Sequence, residues 1–134
     1  MNAPTRGAWL RAGISRDGGP LAETEHVVWI QSGDHYADSR GFAGRTTYDG
    51  ERVHFHHDVG TPGQDVGTLR SDGDNLVETG TNADGSTFLE VWMPLPDSDG
   101  PLGFWRVGDT QTVRVGRHVV HVDGTDGRHF VLPA

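Results

Sequence analysis

The residues best equipped for chemistry stand in three short rows. The densest titratable stretch is His54-Phe55-His56-His57-Asp58. Imidazole alone titrates near neutrality without special help, so His56 and His57 are the candidate proton-transfer residues. Alternate side chains of an extended segment share a face, which groups His54, His56 and Asp58 against Val53, Phe55 and His57. A His-x-His pair on a strand would also offer two nitrogens to one metal, with a third ligand drawn from Glu78, Glu90, His118 or His121 on a neighbouring strand. The spacing fixes no such third ligand, so ordinary hydrogen-bonding histidines are the preferred reading and no metal or cofactor is expected. The second row, Phe88, Glu90 and Trp92, places a carboxylate between two large aromatics, as in the wall of a small-molecule pocket. The competing reading turns Glu90 to solvent within a surface cluster. The third row, Tyr36, Asp38 and Arg40, would let a guanidinium orient a ligand carboxylate or carbonyl, with Asp38 or Glu90 as the acid–base partner of a histidine. The same Asp38–Arg40 pair on an open surface would contribute little.

These rows need strands to hold them. Asp-Gly recurs at Asp17-Gly18, Asp49-Gly50, Asp72-Gly73, Asp84-Gly85, Asp99-Gly100, Asp123-Gly124 and Asp126-Gly127. Both residue types tolerate the positive φ of a type I′ turn, so the pattern predicts a meander of hairpins. Between the turns lie Trp9–Ser15, Glu25–Gln31, Tyr36–Tyr48, Arg52–Val59, Asp65–Arg70, Asn75–Gly80, Ser86–Met93, Gly103–Val107, Thr112–Val115, His118–Asp123 and Arg128–Leu132, rich in Val, Thr and aromatics. No window of about a dozen residues keeps a helical apolar period free of Gly. The fold class predicted is all-β, an antiparallel up-and-down barrel of about 9–11 strands that closes to hide its edges. Residues 1–134 read as one domain, with Pro94–Pro101 and Gly60–Gly63 as loops.

The formal charge of −8 arises from 19 acidic residues against 11 basic ones, all of them Arg. Clustered positive charge is absent, which disfavours nucleic acid and anionic membrane surfaces as partners. Without Lys there is no side-chain Schiff base, and without Cys no disulfide or thiolate chemistry. The start Met1-Asn2-Ala3-Pro4-Thr5-Arg6 carries no apolar leader, so a cytoplasmic location is expected.

The motifs Val28-Trp29-Ile30-Gln31, Tyr36-Ala37-Asp38-Ser39-Arg40, Phe42-Ala43-Gly44, Phe55-His56, Asp65-Val66-Gly67 and Leu89-Glu90-Val91-Trp92 resemble those of a group of bacterial lipocalin-like proteins. Ser39 stands where that pattern has Ile, Phe55 where it has Trp, and Val91 where Trp follows the paired acids directly. The resemblance implies a calycin-type barrel with a ligand cavity. A cupin is the rival barrel, through His54-Phe55-His56, but no Glu follows at the interval its metal motif requires.

The leading expectation is therefore a lipocalin-like barrel that binds a small, largely apolar ligand. Trp29, Tyr36, Phe55, Phe88 and Trp92 would form its walls, and Arg40, His56 and Glu90 its polar contacts. The alternative is a cofactor-independent isomerase or cyclase of secondary metabolism on the same cavity, using His56 or His57 with Glu90 or Asp38. A cupin-like metal-dependent enzyme stands third. Exposed strand edges or Trp105 would support a homodimer.

Overall fold

A computed structural model describes Pro4 and residues 6–134. Met1, Asn2, Ala3 and Thr5, part of the N-terminal stretch read from the sequence, lie outside the described residues. Among the described residues all regular structure is β-strand, and the strands form two sheets. Eight close into a barrel in simple chain order: β1 (Arg6–Arg16), β2 (Val28–Ser32), β3 (His35–Asp38), β4 (Phe42–Asp49), β5 (Arg52–Val59), β6 (Gly63–Asp72), β7 (Asn75–Thr81) and β8 (Thr87–Pro94). Four more, β9 (Leu102–Val107), β10 (Thr110–Val115), β11 (His118–Asp123) and β12 (Asp126–Val131), form a second antiparallel meander. The up-and-down antiparallel barrel is as predicted, with eight staves. The C-terminal strands expected to join it form a sheet of their own instead.

Closure depends on β1. It pairs with β2 through Arg6–Leu10 and with β8 through Trp9–Arg16, and its register slips between Arg11 and Gly13. Such a bulge bends and twists a strand, which is how a flat sheet is brought round to meet its own edge. A second slip, between Ala43 and Gly44 on β4, lies on the opposite wall.

The hairpins use their glycines differently from the sequence expectation. In the β4–β5 and β6–β7 turns, Asp49 and Asp72 still pair within the ladder, and the two-residue loops are Gly50-Glu51 and Gly73-Asp74. Only the glycine has positive φ, at 64° and 62°. That is the type II′ signature with Gly first, rather than a type I′ turn centred on Asp-Gly, because the strand extends one residue further and takes the aspartate into the ladder. The segment Tyr36–Tyr48, predicted as one strand, is two. Asp38 Oδ1 accepts the backbone N–H of Arg40, and Gly41 at φ 103° turns the chain between β3 and β4.

The second sheet covers one side of the barrel. Val113, Val115, Val120 and Val122 pack on Ala8, Val28, Ile30, Ala37, Ala43 and Val59. Each buried valine of this kind stabilises by roughly 1.5–3 kcal/mol. The barrel's inner face carries a separate cluster of Trp9, Val27, Trp29, Tyr36, Val53, Phe55, Leu69, Leu76 and Trp92. Strands β2 and β3 are thus buried on both faces, which explains why Val27-Val28-Trp29-Ile30 shows no polar alternation. Polar contacts fix the sheet in place. Gln111 Nε2 donates to the carbonyls of Tyr36 (2.8 Å) and Gly44 (3.0 Å), the His35 ring stacks on Phe104 at 3.6 Å, and Arg106 reaches Asp58 at 3.2 Å.

Candidate functional site

The barrel interior holds an open-mouthed cavity of about 220 Å³. Its aromatic walls come from Trp29 on β2, Tyr36 on β3, Phe42 on β4, Phe55 on β5, and Phe88 and Trp92 on β8. Strand alternation sends all of them inward. Trp29 is the hub, stacked on Trp9 at 4.5 Å and meeting Phe55 and Trp92 edge-on at 5.3 and 5.7 Å. Such edge-to-face geometry matches the positive rim of one ring to the negative face of another. All five aromatic candidates for the ligand site, Trp29, Tyr36, Phe55, Phe88 and Trp92, line one space or its mouth with Arg40, Asp38 and Glu90, and Phe42 joins them.

The polar end of the cavity is an ion-pair network. Arg40 holds Asp38 through two parallel bonds, Nε to Oδ1 at 3.0 Å and Nη2 to Oδ2 at 2.7 Å, and its Nη1 reaches Glu90 Oε2 at 3.4 Å. Its guanidinium lies 5.8 Å above the Phe42 ring and 6.0 Å above Trp92, within range of a cation–π contact. Behind Glu90 stands Arg11, only 4% exposed, which donates to Glu90 Oε2 at 2.9 Å and grips Glu23 through two bonds of 2.7 and 2.9 Å. Its hydrogen bonds to Glu23 hold that carboxyl below the usual carboxylate range.

Glu78 on β7 has no such support. It lies directly opposite Glu90 in the β7–β8 register, is 5% exposed, and has no hydrogen-bond partner among the described residues. Burial first, and the charge of Glu90 next, push its carboxyl up to about 8. The space it fills is supplied by Gly67 on β6, where a Cβ would lie 2.6 Å from Glu78 Oε2. Tyr36, whose hydroxyl burial and the nearby Asp38 hold well above its ordinary range, remains a protonated donor at any physiological pH. Tyr36 Oη and Trp92 Nε1 are both buried with no hydrogen-bond partner among the described residues.

The histidine row divides. Phe55 points inward, so His54 and His56 necessarily point outward. Their rings stack at 6.2 Å on the outer wall, and His56 Nε2 is bonded to Thr47 Oγ1 at 2.8 Å. The expected polar contact of His56 with the interior is therefore not made, because alternation cannot bring it and Phe55 to the same side. His57 points the other way, stacks on Phe42 at 4.8 Å, and bonds Asp65, itself a lining residue, at 3.0 Å. Among the described residues, a metal centre on His54 and His56 finds no third ligand. Glu78 and Glu90 lie inside the wall, and His118 and His121 belong to the second sheet, where His118 bonds His129 and the Pro96 carbonyl. Among the described residues no group of three or more metal-binding side chains comes together.

Sequence reasoning missed Arg11 and Glu23, and named Glu78 only as a metal ligand. For Glu78 the signal was present: Leu76, Glu78 and Gly80 share the parity that singled out Phe88, Glu90 and Trp92. For Arg11 the bulge interrupts the alternation one residue later and hides which face it takes.

Comparison with known proteins returned no matching family model, no matching curated protein and no matching solved structure.

Proposed function

We propose that this chain is a lipocalin-like barrel that binds a small, largely apolar ligand in its interior. The observation that carries the reading is a closed barrel whose interior holds an aromatic-walled cavity ending in a fixed set of charged groups. A handful of placed polar groups within apolar walls is the usual composition of small-molecule sites. The cavity volume of about 220 Å³ is below the roughly 300–1,000 Å³ of drug-sized pockets, so the ligand is fragment-sized, a one- or two-ring compound or a short branched chain. The test is a titration of apolar compounds of that size, followed by the fluorescence of the core tryptophans Trp9, Trp29 and Trp92. Trp105, exposed on the second sheet, is first replaced by Phe to remove its background. Saturable quenching that weakens in a Phe88→Ala variant supports the reading. A panel that leaves the emission unchanged refutes it.

One observation supports a second reading, a proton-transfer catalyst on the same cavity. Glu78, with its carboxyl near 8, lies in the range a general acid needs at neutral pH. In that reading Glu78 takes the role expected of His56. Turnover of cyclisable polyketide or terpenoid compounds by the parent, lost in Glu78→Gln while binding persists, is the expected result. An equally active Glu78→Gln variant, or an inactive parent, removes this reading and leaves binding intact.

A further inference from the structure

Resting on the binding reading above, we infer that the ligand carries a carbonyl oxygen on its apolar skeleton, and that the Glu78 carboxyl, Tyr36 Oη and Trp92 Nε1 donate hydrogen bonds to the ligand's oxygen acceptors. The argument begins with what each group can do. An indole N–H is a donor only, and a protonated carboxyl or a phenol donates through its O–H. Trp92 is 1% exposed and Tyr36 2%, and neither polar atom is partnered among the described residues. Leaving a buried donor unpaired costs about 1–3 kcal/mol, a cost that a ligand acceptor recovers.

The protonation of Glu78 follows from its neighbours. Arg40, the cation whose charge favours an ionised Glu78, is bonded to Asp38 and Glu90. Arg11 is bonded to Glu90 and Glu23. Glu90, Asp38 and Asp65 all add negative charge around Glu78. A carboxyl buried among carboxylates with no cation of its own keeps its proton. The residues lining the cavity therefore include three such donors, which an oxygen acceptor on a ligand would satisfy. A cationic amine, by contrast, would be drawn to the carboxylates of Glu90 and Asp65 and would leave these donors unpaired.

Three probes of nearly equal size separate the possibilities: acetylnaphthalene, ethylnaphthalene and naphthylethylamine, titrated against the Trp105→Phe protein and its Glu78→Gln and Tyr36→Phe derivatives. Acetylnaphthalene is expected to bind at least about tenfold tighter than ethylnaphthalene at pH 7. That advantage should fade as pH rises through about 8, where Glu78 gives up its proton. In Glu78→Gln the amide still donates, so the advantage should persist but lose its pH dependence. Tyr36→Phe should reduce it several-fold at every pH. Equal binding of acetylnaphthalene and ethylnaphthalene overturns the inference while the binding reading stands. Tightest binding of naphthylethylamine overturns it in favour of a cation site. Failure of all three probes to bind refutes both readings for two-ring ligands.

Discussion

Replacing Glu78 by Gln should stabilise the protein, and the gain should grow with pH. Glu78 is 5% exposed, so no solvent discount applies to its surroundings. Its carboxyl is raised from the ordinary 4.5 to about 8 in the folded chain. An acid with a raised folded-state pKa binds its proton more tightly when folded, so its contribution is neutral below pH 4.5 and increasingly unfavourable as pH climbs to about 8. One pH unit of that window is worth ~1.4 kcal/mol, which sets a ceiling of about 5 kcal/mol above pH 8 and about 3 kcal/mol at neutrality. Glutamine has nearly the same shape and does not titrate. The difference between variant and parent should therefore be close to zero near pH 4.5 and rise along this curve, other titrating groups cancelling in the subtraction. Urea unfolding followed by tryptophan emission, repeated between about pH 5 and pH 8.5, measures it as a midpoint displacement at constant slope. A stability difference that is flat across that range, whatever its sign, would show that Glu78 is not held protonated and would refute the reasoning.

Three further outcomes follow from the same contacts. Arg11→Met leaves Glu23 with only its backbone donors from Thr24 and Glu25, and Glu90 with only the longer Arg40 contact, and should cost about 3–5 kcal/mol in denaturant unfolding; a loss under about 1 kcal/mol would show that Arg11 does not carry the Glu90 charge. Gly67→Ala pushes a methyl group against the Glu78 carboxyl and should lower the melting temperature and weaken ligand quenching together, by about 1–3 kcal/mol in stability; unchanged quenching would show that the carboxyl does not touch the ligand. Burial, with His118 and His26 adding, depresses His129 to about 4, so its neutral form stabilises above pH 6.5 and that stability is lost as pH falls towards 4; His129→Gln should flatten this acid limb of a melting-temperature profile, and an unchanged limb would assign it to other groups.

The strand pattern and the lining of the cavity were legible because both depend on local alternation. Val, Thr and aromatic runs between Gly-led turns identify the staves, and parity alone brings Phe88, Glu90 and Trp92 to one face. The same rule contained the answer for the histidines: Phe55 and His56 are adjacent, so a wall that includes one excludes the other. What parity cannot supply is the partner across the barrel. Arg11 reaches Glu90 from 79 residues away, and only closure of β1 on β8 brings them together. The second sheet was hidden for a related reason. The strands β9–β12 have the same composition and turns as the barrel staves, and nothing local says which edge they will join. The one hint was the unbroken apolar run Val27-Val28-Trp29-Ile30, which has no solvent face and so requires a cover.

That cover divides the barrel mechanically. On one side the wall is a laminate: β2 and β3 are clamped between the aromatic filling and a valine-faced plate, and Gln111 is pinned to two of its carbonyls. On the other side, from β6 through β8, the wall is a single ply that the second sheet does not cover. Thermal strain in such a vessel concentrates where it is thinnest, so the laminated side acts as a splint and the single-ply side as the compliant panel. The cavity has an open mouth, so a guest can enter without parting the staves, and any widening to fit a larger guest falls to the single-ply flank.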